Sequence, residues 1–164
     1  MEILDFALQM EQDGFALYST AAQSLRDKAA QRMLMNLAED EKRHEQIIRN
    51  FQAGQTRMIE GHSFASIKNV FEELVADGRT FINDDDRLTQ VLHKAVAVEI
   101  RSVALYGDLA QKAANPHAQE LWRKLQSEET RHEKLLRLTL EYIDKPNLVL
   151  ENAEFLFYDH DVAP

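Results

Sequence analysis

Cysteine is absent from this 164-residue chain. That one absence excludes thiolate metal sites, iron-sulfur clusters, thiol nucleophiles and disulfide staples together, so any metal has to be held by oxygen and nitrogen. Proline and glycine are scarce, at three and five residues, which leaves long stretches with little to interrupt a helix. No apolar run approaches the roughly 20 residues that span a bilayer. The opening, MEILDFALQM, is acidic where a secretory signal is basic and carries no small-residue cleavage pattern. A cytoplasmic protein without a membrane partner is the expectation. Positive charge is also in short supply: 19 Lys and Arg stand against 28 Asp and Glu, a net charge of -9. Nucleic-acid binding needs a basic footprint that these scattered cations do not provide. The length suits one domain, residues 1–164, with a full apolar core.

What is present is a repeat. Shifted by 88 positions, Glu11, Tyr18, Glu41 and His44 return as Glu99, Tyr106, Glu129 and His132. Ala16, Leu17, Ala22, Gln23, Gln31, Leu37, Arg43, Glu45 and Arg49 recur as well, so the match covers about residues 8 to 51. The period inside each copy is helical. Leu4, Leu8, Glu11, Phe15, Tyr18, Ala22 and Leu25 step by threes and fours along one face, and Ala30, Leu34, Leu37, Glu41, His44, Ile48 and Phe51 do the same. The second copy supplies two further stripes, through Glu99 and Tyr106 and through Glu129 and His132. Four helices follow, each with a carboxylate inside its apolar stripe.

Short turns near Asp27 and Asn115 make antiparallel hairpins of residues 1–51 and 86–143. Asp84, Asp85 and Asp86 offer caps for the third helix, and Asn115-Pro116 reads as the cap and first residue of the fourth. Residues 52–85 form a crossover long enough to run the length of a bundle, with a short amphipathic helix through Phe64, Ile67, Phe71 and Leu74. Residues 144–164 are a tail with an aromatic segment, suited to docking on the bundle or on a second subunit.

Glu-x-x-His occurs twice, at Glu41/His44 and Glu129/His132. Sixteen Glu and six His place about 0.6 such pairs by chance, so either one alone is most often a solvated helix face. Position changes the weight. These residues, with Glu11 and Glu99, occupy stripe positions between Leu, Ile and Ala, while Glu39, Lys42 and Arg43 take the polar face. Four buried carboxylates without opposing charge cost on the order of several kcal/mol each, more than a small domain's net stability. No Lys or Arg occupies any stripe. Counted from the turn at 27, Glu11 and Glu41 lie about 24 and 21 Å along their helices at 1.5 Å per residue, so they share a level. If the hairpins pack face to face, four Glu and two His converge, and two divalent cations balance them. One Glu from each of two helices plus Glu-x-x-His from each of the others is the ligand set of di-iron carboxylate bundles. Oxygen donors with one imidazole per metal suit iron or manganese, with zinc an occupant in purified protein.

On Glu11, Glu41-Lys-Arg-His44, Glu99 and Glu129-Thr-Arg-His132 the chain resembles the ferritin-like superfamily, and within it the rubrerythrin branch, over both hairpins. The resemblance implies an all-α ferritin-like four-helix bundle made of two repeated hairpins joined by a long crossover, and two iron ions as cofactor. It implies that Glu11 and Glu99 are terminal ligands, that Glu41 and Glu129 bridge, and that His44 and His132 each complete one metal. Tyr18 and Tyr106, two turns beyond the terminal Glu, are placed either to hydrogen-bond a ligand carboxylate or to pack in the core. No catalytic residue beyond the ligands is implied. The chain departs from rubrerythrins in two ways: it has no cysteine for a rubredoxin module, and Ser102, with Gly14 as its counterpart, stands where an extra Glu is usual. Small side chains there suggest an open face through which oxygen or peroxide reaches the metals.

The implied function is a di-iron oxidase or peroxidase acting on oxygen or hydrogen peroxide with a separate electron donor, as a homodimer or larger homo-oligomer. Ferritin-type iron oxidation and storage is the alternative, followed by a non-enzymatic, metal-stabilised bundle that binds a partner. A substrate hydroxylase uses the same scaffold. His62, His117 and His160 read as loop, helix-start and tail residues, His93 as outside the site, and Met33 and Met35 as helix packing.

Overall fold

Two side-chain caps mark the hairpin turns. In the computed structural model, which describes residues 3–55 and 85–145, Asp27 is held in extended backbone at φ -69° and ψ 121°. Its carboxylate accepts hydrogen bonds from the amides of Ala29 and Ala30 at 2.9 and 2.8 Å. Asn115 does the same for the amide of His117 at 2.9 Å, and Pro116 follows it at the first helical position, where its missing amide hydrogen is no loss. The helices that flank these turns are α1 (Ile3–Ser24), α2 (Lys28–Gln52), α3 (Asp85–Lys112) and α4 (Pro116–Asp144). No strand occurs among the described residues. At the end of α2, Gly54 takes φ +72°, the left-handed conformation that glycine adopts without a Cβ clash. The amide of Gln55 then reaches the carbonyl of Asn50 at 2.8 Å and that of Gly54 the carbonyl of Phe51 at 3.0 Å, which closes the helix.

Two apolar clusters fix the order of the helices. One gathers the end of α1 (Tyr18, Ala22) with Leu25 of the turn, the start of α2 (Ala30, Leu34, Leu37), the start of α3 (Leu88, Leu92, Val96) and the end of α4 (Leu135, Leu136, Tyr142). The other gathers the opposite ends, with Ala7 and Leu8, Ile47 and Ile48, Tyr106 and Ala110, and Leu121, Trp122 and Leu125. The directions in chain order are therefore up, down, down, up, and the chain leaves α2 at one end of the bundle and begins α3 at the other. Trp122 fills the second cluster, stacked on Tyr106 at 5.8 Å between ring centroids and edge-on to Phe51 at 5.2 Å. This all-α four-helix bundle is the expected fold class. Met33 is fully buried and takes a contact from the Thr139 hydroxyl at 3.5 Å, a packing role. His93 and His117 are exposed. The amphipathic segment of the crossover, the tail, His62, His160 and the cap at Asp84 lie outside the described residues.

Leu34 is fully buried, whereas Met35, its neighbour in sequence, is 37 % exposed. Leu34→Ala should therefore cost about 2–5 kcal/mol through the cavity it leaves, and Met35→Ala should stay within about 0.5 kcal/mol. Urea unfolding of the two variants measures the difference, and comparable losses would contradict this placement of the core.

Candidate metal centre

Between the two apolar clusters lies a layer that is not apolar at all. Glu11, Glu41, His44, Glu99, Glu129 and His132 meet there, none more than 3 % exposed. Their donor atoms form two overlapping groups. Glu11, Glu41, His44 and Glu129 each offer one ligand atom within 4.8 Å of the others, and so do Glu41, Glu99, Glu129 and His132. Glu41 and Glu129 belong to both. Nδ1 of His44 is 2.8 Å from Glu129 Oε1 and 3.4 Å from Glu11 Oε2. Nδ1 of His132 is 3.3 Å from Glu129 Oε2, 3.5 Å from Glu41 Oε1 and 3.8 Å from Glu99 Oε1. The two imidazoles lie nearly parallel, with centroids 5.7 Å apart.

Buried polar atoms are almost always hydrogen-bonded. Here the unpartnered ones among the described residues are Glu11 Oε2, Glu41 Oε1, Glu99 Oε2, both Glu129 oxygens and Nδ1 of both histidines. All belong to these six side chains. Glu11 and Glu99 are also tied down from outside the layer. The Tyr106 hydroxyl donates to Glu11 Oε1 and that of Tyr18 to Glu99 Oε1, a reciprocal exchange between α1 and α3. Burial, then the neighbouring carboxylate charges, push both phenols well above their ordinary pKa, so they remain donors.

The far side of each histidine is held as well. His44 Nε2 lies 3.0 Å from Glu128 Oε2 and His132 Nε2 lies 3.5 Å from Asp40 Oδ2, so each imidazole presents Nδ1 inward and is oriented by an acid of the other hairpin. Asp40 and Glu128 are themselves 88 positions apart. Arg43 joins them, with Nη2 at 3.1 Å from Asp40 Oδ1 and in an ion pair with Glu128 Oε2. Sequence reasoning missed all three. Periodicity puts Arg43 on the polar face, yet its side chain is only 9 % exposed. The 88-residue offset, extended one residue before each Glu-x-x-His, was the signal that pairs Asp40 with Glu128.

Protons show what the layer requires when no cation is supplied. Burial, reinforced by the charge of Glu129, raises Glu41 and Glu99 well above the usual carboxylate range. Burial works the same way on Glu129, but His44 and His132 overcome it and hold that group low. Burial opposes charge on His44 and His132 too, and is outweighed by the acids around them, so both imidazoles bind protons far more readily than in water. Burial also acts to raise Asp40 and Glu128, yet their bonds to the histidines and the charge of Arg43 hold each at about 2.

The family model described as Rubrerythrin matches residues 2–140. The chain belongs to the rubrerythrin family. No curated protein and no solved structure matches it. For a rubrerythrin-family chain the donor set fits a pair of iron ions on chemical grounds: carboxylates predominate, one imidazole belongs to each donor group, and the seven unpartnered atoms all belong to the six side chains that converge there. These 164 residues contain no cysteine and so no rubredoxin-type iron site.

The opening expected at Gly14 and Ser102 is not there. Ser102 is 2 % exposed and bonds its hydroxyl back to the carbonyl of Val98 at 3.3 Å. Gly14 is buried, and a Cβ on it would lie 3.0 Å from Glu41 Oε2 and 3.2 Å from Glu41 Cδ. The volume that glycine vacates is filled by the carboxylate of the adjacent helix. Gly14→Ala should accordingly separate two properties. Helix propensity favours alanine by about 1 kcal/mol, so the metal-free bundle should melt no lower, while the displaced Glu41 should weaken binding of ferrous ion or of cobalt(II) as its probe. Calorimetric titration and a thermal melt of the same sample measure both, and unchanged cobalt affinity would refute the contact.

Proposed function

We propose that this chain is a di-iron oxidoreductase of the rubrerythrin kind that reacts with oxygen or hydrogen peroxide. The convergence of six buried side chains that carry seven unpartnered donor atoms on one layer of the bundle carries this reading. Glu11 with His44 would hold one iron and Glu99 with His132 the other, with Glu41 and Glu129 spanning the two, because only these carboxylates belong to both donor groups. An iron pair bound there supplies two electrons to the oxidant, one from each metal.

The chain's own residues do the rest. Four carboxylates neutralise two divalent cations inside an apolar medium. Glu128 and Asp40 accept from the Nε2 side of the histidines and keep Nδ1 directed inward. Tyr106 and Tyr18 occupy one oxygen of Glu11 and Glu99 and leave the other for the metal. The apolar clusters above and below keep bulk water from the layer. Electrons for turnover come from a separate donor, because a chain without cysteine carries no iron-sulfur module.

Anaerobic loading should bring two ferrous ions per chain, and one equivalent of peroxide should then give a ferric absorption band within seconds. Iron that stays ferrous over minutes would mark a structural site and sink the proposal. A cage-sized particle in size exclusion would move the reading to ferritin-type storage. Joint replacement Glu41→Ala and Glu129→Ala should abolish iron binding. The same double variant, freed of two buried acids, should melt higher than the metal-free parent. Unchanged iron stoichiometry in it would rule out these two residues as the bridge.

A further inference from the structure

The two halves of the centre are related by the repeat, and one residue breaks the relation. Arg43 and Arg131 are 88 positions apart and each precedes a candidate ligand histidine. Arg131 is exposed, whereas Arg43 turns inward. Among the described residues every other Lys and Arg is exposed. The one cation withdrawn from solvent thus lies at the metal layer, bonded to both acids that orient the histidines. Its Nη2 is 3.3 Å from Nε2 of His44 and converges with that nitrogen on the same Glu128 oxygen.

Charge decides what such a residue does. Glu11, Glu41, Glu99 and Glu129 with Asp40 and Glu128 exceed the charge of two ferrous ions by two, and Arg43 reduces that excess to one. Two ferric ions match the six carboxylates, so Arg43 then becomes uncompensated positive charge at short range in a poorly screened interior. Its electrostatic effect is unfavourable to both oxidation states and larger for the more highly charged one.

We infer that Arg43 is a positioning residue that ties the two histidine-carboxylate pairs together and, through its charge, biases the metal pair toward the ferrous state. The inference rests on the di-iron reading above. It concerns no ligand and no proton transfer, only the guanidinium between Asp40 and Glu128. Loss of the charge should let each iron give up its electron more readily.

Anaerobic mediated redox titration of the iron-loaded protein, followed by ferric absorbance and with iron counted per chain, tests this. Arg43→Gln keeps hydrogen-bond donors and removes the charge. It should raise the ferric-to-ferrous ratio at a fixed solution potential about tenfold, a downward shift of about 59 mV for a one-electron step. Arg43→Lys, which restores charge without the fork, should stay within about threefold of the parent, and Arg131→Gln should match it. Arg43→Gln with two irons and the parent's potential would overturn the inference and leave the di-iron reading standing. A parent chain that binds no redox-active iron pair would sink both. If Arg43→Gln loses its iron, recovery of iron in Arg43→Lys supports the role of charge, and equal loss in Arg43→Lys overturns it.

Discussion

Four carboxylates enclosed in an apolar bundle have to find positive charge, and the arrangement of this protein follows from that requirement. Leaving any one of them ionised and unpaired would cost a large part of the stability of a domain this size. Two remedies are open to them. Protons are one, since burial and the neighbouring charges raise the pKa of Glu41 and Glu99, and the surrounding acids raise those of His44 and His132. Cations would do it more completely, because they would satisfy the seven buried atoms that lack a hydrogen-bond partner. The apolar clusters on either side supply the folding energy that allows such a layer to exist between them.

Duplication makes the layer nearly symmetric. Each hairpin contributes a tyrosine to the other's glutamate and an acid to the other's histidine, so neither half of the centre is complete without its counterpart. Exact symmetry fails close to the axis for a physical reason. Asp40 and Glu128 lie near enough for one guanidinium to bond both, and a second one in the same space would set two like charges against each other. Arg43 therefore sits inside and Arg131 faces outward. A repeat in sequence becomes an inequivalence in charge.

Membership in the rubrerythrin family and the composition of the layer place the chain among di-iron proteins. The proposed reaction would depend on features outside the ligands: how the oxidant arrives, how electrons are delivered, and how firmly the ferrous state is held. Without cysteine, these 164 residues hold no iron-sulfur centre that could deliver electrons. Glu41 filling the space beside Gly14 closes the route that small residues suggested. In the proposed iron pair, Arg43 would act on the potential through the acids and histidines it touches, not through the metals.

Much of this was determined by the sequence alone. Apolar residues at threes and fours, with two capped turns, dictate four helices, and the 88-residue repeat places Glu11, Glu41, Glu99 and Glu129 at one level with a histidine beside each bridging candidate. These properties are local, because periodicity states which way a side chain leaves its own helix. What Arg43 reaches, which acid backs which histidine, and what occupies the space at Gly14 were decided only when α2 met α4 and α1 met α2. Those facts depend on the neighbour across the interface and on the length of the side chain, and neither is written in the period of a single helix.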